Sequence, residues 1–344
     1  MSTSFPYFLA RISEDSDFRK LKDMATNHEG WSVDYDRATV KVWSKQTDES
    51  SFNMVKVWVC FANVNCLDLY DTIHDPEYRK QWDPHMLYGT EIGYLNPNND
   101  ICYYSMYCPA PLRNRDFVLQ RSWLDAGTEF YILNHSVYHK DYPPKKGFIR
   151  AISYFTGYFI KCNTVSRNAY GCELHYVTRC NPQGDLPPWI VNKCTQILAP
   201  KYVRQIEKAA RGYAAWKEHH NPNFKPWIHP EQKTATKISV TDCVPTREDL
   251  DSNPALRKVN FEMYYALMKR EPKSNEQLGK KGYKDHSSRP SRAESEKSKT
   301  GRTSSEARAG KSAEQSESSP SLKRNKKKNR FNSLLNCTIC RKGS

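Results

Sequence analysis

Of the 13 Phe, 8 Trp and 21 Tyr in this chain, only Tyr283 and Phe331 lie beyond Arg270. Large rings dominate buried apolar area, so a core can be built only from the residues before that point. Residues 271–344 carry 19 Lys/Arg against 8 Asp/Glu and are otherwise rich in Ser, which accounts for most of the formal net charge of +15. Such a segment cannot bury enough apolar surface to offset about 1–2 kcal/mol per residue of backbone ordering. A disordered basic tail is therefore expected there, and the basic balance describes the tail rather than the folded part.

No run approaches the roughly 18 consecutive apolar residues of a spanning helix. The opening MSTSFPYFLARISED has no basic segment followed by an apolar one, so a secretory signal is not expected. These readings place the chain in the cytoplasm. Nine cysteines stand singly at 60, 66, 102, 108, 162, 172, 180, 194 and 243, and only Cys337 and Cys340 form a tight pair. In a reducing compartment they are expected as free thiols packed like small hydrophobes.

Helical spacing of Phe18, Leu21, Met24 and Ala25, with Gly30 shortly after, predicts an amphipathic helix over 13–27. Strands are expected at 31–35, 39–43 and 54–61, followed by a helix over 66–74 and a short one over 77–82. Further strands are expected at 88–95, 101–107, 117–124, 129–137, 148–161 and 172–180. Turn sequences and no helices separate them, so the sheet is antiparallel. Beyond Pro187, apolar residues recur at three and four through Tyr213, predicting a long amphipathic helix over 188–217 that Pro200 should kink. Residues 233–270 read as a linker with one short helix over 254–268. The fold class is α+β, a curved antiparallel sheet of about nine strands with N- and C-terminal helices.

Four segments carry a resemblance: TIHDPEYRKQWDPHM at 72–86, CPAPLRNRDFVLQRSW at 108–123, NPQGDLPPWIVNKCTQILAPKY at 181–202 and YAAWKEHHNPNFKPWIHPEQ at 213–232. Over 14–232 the chain resembles the START (StAR-related lipid transfer) family, and within it the branch that transfers phosphatidylcholine and phosphatidylethanolamine. The resemblance implies a helix-grip fold in which the sheet curls around a lipid tunnel and the last helix lies across its mouth as a lid. It also implies an intracellular, non-enzymatic carrier that binds one phospholipid per monomeric chain and touches membranes transiently, with no cofactor. A lipid sensor that recruits a partner through the tail is the alternative within the same resemblance.

Arg79, Trp82 and Asp83 stand at i, i+3 and i+4, one stripe of a helix. The resemblance matches Arg79 and Asp83 to a buried pair at the polar end of the tunnel, with Arg79 on the lipid phosphate and Asp83 holding the guanidinium. It matches Tyr104, Phe117 and Tyr154 to aromatic rings around a choline. Ile73 stands where that branch has a phosphate-contacting tyrosine, and Thr156 where it has a glutamine, which points to a wider choice of phosphatidylcholine and phosphatidylethanolamine. Trp189, Val191, Cys194 and Leu198 fall on the lid helix.

Other features argue for less. The loop CPAPLRN at 108–114 would flank the entrance, and Arg115 and Asp116 after it read as a structural ion pair. His135 and His139 fall on an expected strand, where i and i+4 sit about 13 Å apart, too far to share a metal ion. Cys337 and Cys340 lack the second pair a zinc site needs. The run KRNKKKNR at 323–330, opening on Lys323 and closing on Arg330, reads as a solvated tail, a nuclear import signal or a patch for anionic lipid. Nucleic-acid binding would rest on that charge alone and would leave 14–232 unexplained. GxSxG, HExxH, Walker A and GxGxxG are all absent, which argues against a hydrolase.

Overall fold

The computed structural model of this chain describes residues 9–47, 50–108, 110, 112–164 and 170–246, together with 248 and 251. The expected helix at 254–268, the basic tail and its 323–330 run, and Cys337 and Cys340 lie outside the described residues.

Helix α1 (Asp15–Thr26) is followed by strands β1 (Ser32–Arg37), β2 (Val40–Thr47) and β3 (Ser50–Asn65). Two helices then follow, α2 (Cys66–His74) and α3 (Pro76–Trp82). Strands β4 (Met86–Asn96), β5 (Asn99–Met106), β6 (Asn114–Asp125), β7 (Glu129–Ser136), β8 (Phe148–Arg150), β9 (Ile152–Cys162) and β10 (Tyr170–Asn181) precede α4 (Pro188–Lys217). The main path of the sheet runs β1-β2-β3-β10-β9-β7-β6-β5-β4. The strand expected at 148–161 is two strands, because its two halves have different partners. β8 lies parallel to β6, whereas β9 pairs antiparallel with β7 and β10.

Strand alternation gives the sheet two apolar faces, and each finds a helix. On one face Phe18, Leu21 and Ala25 of α1 pack against Tyr131, Leu133, Phe155, Phe159 and Val177. A Cβ at Gly157 would lie 2.4 Å from Leu21 Cδ1, so α1 can seat this closely only over a glycine. On the other face a valine-rich layer from β2 and β3, with Ile160 and Leu174, is covered by Leu69 and Tyr70 of α2 and by Val203, Ile206 and Ala210 of α4. Local chemistry sets the helix ends. Asn65 Oδ1 accepts from the Leu67 amide at 2.8 Å and starts α2, and Asp75 Oδ1 accepts from Glu77 and Tyr78 at 3.0 and 3.1 Å and starts α3.

The packing continues past Gln232 into the expected linker. The backbone at 236–238 adds to β4 along its outer edge, with Tyr94 N donating to Thr236 O and Ile238 N to Tyr94 O. Cys243 is buried with Ile101, Tyr103 and Val118. Residues 233–243 are thus a strap rather than a free linker, and the strap uses the donors and acceptors that an edge strand leaves open. At Gly93 a Cβ would lie 2.6 Å from Ile238 Cγ2 and 2.7 Å from Thr236 O, so the crossing needs glycine.

The expectation of free thiols fails at one pair: Cys66 and Cys162 form a disulfide, with Cα atoms 5.7 Å apart. They lie 96 residues apart, and only the packing of α2 against the end of β9 brings them together. The other seven described cysteines are free.

Candidate functional site

Asp83 ends α3 and is buried. Its Oδ2 accepts from Arg79 Nε at 3.1 Å and from the Tyr104 hydroxyl at 3.0 Å, and its Oδ1 accepts from the His85 amide at 3.1 Å. Three donors on one carboxylate fix the rotamer of each partner, so the guanidinium is held in place. The guanidinium carbon lies 4.9 Å from the centre of the Tyr104 ring and 5.6 Å from that of Trp82. Phe117 is the register partner of Tyr104 across β5 and β6, and their rings are 6.3 Å apart.

The sheet and α4 supply three tyrosines to the same cluster. Arg79 Nη2 donates to the Tyr202 hydroxyl at 3.4 Å, and that hydroxyl lies 3.1 Å from the hydroxyl of Tyr158. Tyr176, paired with Tyr158 in the β9–β10 register, has its ring centre 5.1 Å from that of Tyr158 and 5.6 Å from that of Tyr202, tilted against both. Burial raises the pKa of Tyr104, Tyr158 and Tyr176, so these phenols stay protonated. At Arg79 burial opposes the charge, but its surroundings, in which Asp83 is the anionic partner, outweigh it and hold the pKa well above its ordinary value. The result is a permanent cation lined by neutral hydroxyls and ring faces.

A START domain is matched over residues 11–217. This chain belongs to the START family. START domain-containing protein 10 of Homo sapiens is 39% identical over 233 residues, covering 67% of this chain and 79% of that protein. The crystal structure of that human protein superposes with a TM-score of 0.64 over 68% of this chain and 94% of its own. The Mus musculus phosphatidylcholine transfer protein is 25% identical over 209 residues, 58% of this chain and 94% of that protein. The START fold expected from the sequence, a curved antiparallel sheet with a helix at each end, is the fold found.

Of the residues the START resemblance singled out, Arg79, Trp82, Asp83, Tyr104 and Phe117 come together. Tyr154 stands apart from them, at the bulge where the β9–β10 register shifts. Its ring centre lies 5.0 Å from the Arg179 guanidinium carbon, and its hydroxyl accepts from Asn181 at 3.5 Å. Thr156 sits two residues from Tyr158 along the same face, with its hydroxyl 3.1 Å from Ser153 Oγ and 3.0 Å from Thr178 Oγ1. Ile73 is buried in the aliphatic layer. Sequence reading missed Tyr158, Tyr176 and Tyr202. The first two could have been found by continuing the alternation from Thr156 and crossing to its strand neighbour; Tyr202 carried no such signal.

On α4, Val191 faces the sheet while Trp189, Cys194 and Leu198 are exposed, Trp189 to 71%. The N-terminal half of α4 is tied down by polar contacts: Asn192 Oδ1 accepts from the Asn53 amide at 2.9 Å, and Gln196 Nε2 donates to Ser44 Oγ at 3.3 Å. The C-terminal half is clamped. Lys217 Nζ and the Tyr213 hydroxyl donate to Asp75 Oδ2, the Tyr78 hydroxyl donates to Ala209 O, and Lys225 and Trp227 just beyond the helix donate to Asp71.

Arg115 and Asp116 do not pair with each other. Asp116 is bound by Arg150, and Arg115 donates to the carbonyls of Pro182 and Gln183, because adjacent strand residues point to opposite faces. His135 Nε2 lies 3.0 Å from Leu9 O, and His139 Nδ1 accepts from the Asp141 amide. Among the described residues no group of three metal-ligating side chains occurs. Among them, too, no helix is long and apolar enough to cross a membrane.

Proposed function

We propose that this chain is a non-enzymatic carrier that binds one diacyl phospholipid, with the phosphate on Arg79, and moves phosphatidylcholine and phosphatidylethanolamine between membranes. The observation that carries this reading is the Arg79 cation, fixed by Asp83 and flanked by Trp82, Tyr104 and Tyr202, with Phe117 behind Tyr104. A half-buried cation with donors left over is suited to a phosphodiester. The neighbouring ring faces suit a quaternary ammonium, at about 0.5–2 kcal/mol, and they accept a primary ammonium as well. Two acyl chains expose some thirty methylenes, about 20–25 kcal/mol of transfer cost at roughly 0.8 kcal/mol each. A carrier must hide nearly all of it, in keeping with the aromatic-rich interior. Membership of the START family, and a relative named for phosphatidylcholine transfer, support the same reading.

In this proposal the chain acts as a monomer in the cytoplasm and touches membranes transiently through the exposed Trp189 and Leu198. Native mass spectrometry of the purified full chain should show one noncovalent phospholipid per polypeptide. Vesicle assays should show phosphatidylcholine and phosphatidylethanolamine moving faster than in buffer. A lipid-free protein that leaves transfer at the buffer rate would overturn the proposal.

A further inference from the structure

We infer that Tyr202, carried by α4, is a specificity residue that distinguishes lipids bearing a phosphate from lipids without one. The inference rests on the placement of the phosphate at Arg79 proposed above and deepens it. α4 meets the sheet mainly through the aliphatic side chains of Val203, Ile206 and Ala210. Tyr202 breaks that pattern and sets a hydroxyl against the one cation of the cluster. Its partners, Arg79 on α3 and Tyr158 on β9, lie 123 and 44 residues away.

Counting donors shows what the site lacks. A guanidinium has five N–H groups. Among the described residues Arg79 uses Nε on Asp83 and one Nη2 proton on Tyr202, and its remaining protons have no protein acceptor. Those protons belong to a side chain that is 27% exposed, whereas Trp82 Nε1 is buried without a partner, in a ring whose centre lies 6.1 Å from that of Tyr202. A buried N–H left unpaired is costly, and a ligand that supplies acceptors removes that cost. A phosphodiester group is acceptor-only and anionic, so it fits a set made of donors alone.

Tyr202 can join that set without losing its present support. When a phosphate oxygen takes the Nη2 proton, the Tyr158 hydroxyl, which can act as either donor or acceptor in this pair, donates to the Tyr202 oxygen, and the Tyr202 O–H donates to the phosphate. Asp83 keeps Nε throughout and holds the guanidinium plane. A phosphate-bearing lipid is then hydrogen-bonded to α3 and α4 at once. A diacylglycerol, with a neutral hydroxyl in that place, is held by apolar packing and cannot bridge the two helices in the same way.

The test compares the full chain with Tyr202→Phe, Arg79→Leu and the double variant, each loaded with dioleoyl phosphatidylcholine or with dioleoylglycerol, and measures the rate of lipid loss to acceptor vesicles. A hydrogen bond to a charged group corresponds to a factor on the order of ten or more. Tyr202→Phe should speed phosphatidylcholine loss by about tenfold, leave dioleoylglycerol loss unchanged, and add little in the Arg79→Leu background. The ³¹P shift of bound phosphatidylcholine gives a second readout that needs only the folded fraction. It should move in Tyr202→Phe and stay in place in Tyr176→Phe, whose ring neighbours Tyr202 but makes no bond to Arg79. Equal acceleration for both lipids, or no acceleration for phosphatidylcholine, would overturn the inference. Should Arg79→Leu hold phosphatidylcholine as well as the unmodified chain does, the phosphate placement itself fails, whatever Tyr202→Phe shows.

Discussion

At the scale of single residues, the contrast between Arg79 and Lys80 shows how one helical step decides a role. Lys80 is turned about 100° from Arg79 and pairs with Glu77 in solvent. Arg79→Leu should abolish most phospholipid transfer and destabilise the fold by roughly 3 kcal/mol, because Asp83 would remain buried without its cation. Lys80→Leu should change transfer and stability little; vesicle assays and urea unfolding on both variants check this. Acid should also act through single residues. Burial lowers His135 and His175 to about 4. In the unfolded chain both titrate near 6.5, so below that pH the unfolded state takes up protons that the folded state refuses. Their contribution is complete above pH 6.5 and is lost toward pH 4, at about 1.4 kcal/mol per pH unit for each histidine. Urea midpoints at pH 7 and pH 5 should show the loss, and His175→Gln should remove about one histidine's share of the slope.

Whole elements behave less uniformly than their sequence patterns suggest. α4 is one helix with Pro200 inside it, yet its halves are held differently: the first by Asn192 and Gln196 at the sheet, the second by Asp75 and, just past its end, Asp71. An interior proline removes one helix hydrogen bond, which makes its vicinity the place where the first half can part from the second. Tethering that half with cysteines at Asn53 and Asn192 should therefore stop transfer when oxidised and restore it on reduction, with bound lipid retained throughout. Transfer that continues in the oxidised protein would place the gate elsewhere. The division of residues 148–161 into β8 and β9 was not legible in the chain, because both halves are equally apolar. The parallel docking of β8 on β6 is a choice of partner, which periodicity does not encode.

For the molecule as a whole, the strap moves the boundary of the folded unit. A chain ending at Gln232 would lose the backbone pairing on β4 and expose the cluster around Cys243. We expect truncation after Thr246 to leave the melting temperature and transfer between neutral vesicles nearly unchanged, while lowering binding to anionic vesicles at low salt through removal of the basic tail. That electrostatic attraction reaches only about 8 Å at physiological salt. Truncation after Gln232 should instead lower the melting temperature by several degrees, read by circular dichroism.

Periodicity and turn chemistry alone specified the helices at both ends of the domain and the antiparallel sheet between them. Each depends on neighbours a few residues apart. The stripe of Arg79, Trp82 and Asp83 was legible for the same reason, being one face of one short helix. Three things were decided only by tertiary structure: the meeting of Tyr158, Tyr176 and Tyr202 around Arg79, the pairing of Cys66 with Cys162, and the docking of the strap on β4. Each joins segments far apart in the chain. Apolar spacing along a strand or helix marks the face that packs, but the partner of each side chain on it is set by strand order and by the path of α4 across the sheet.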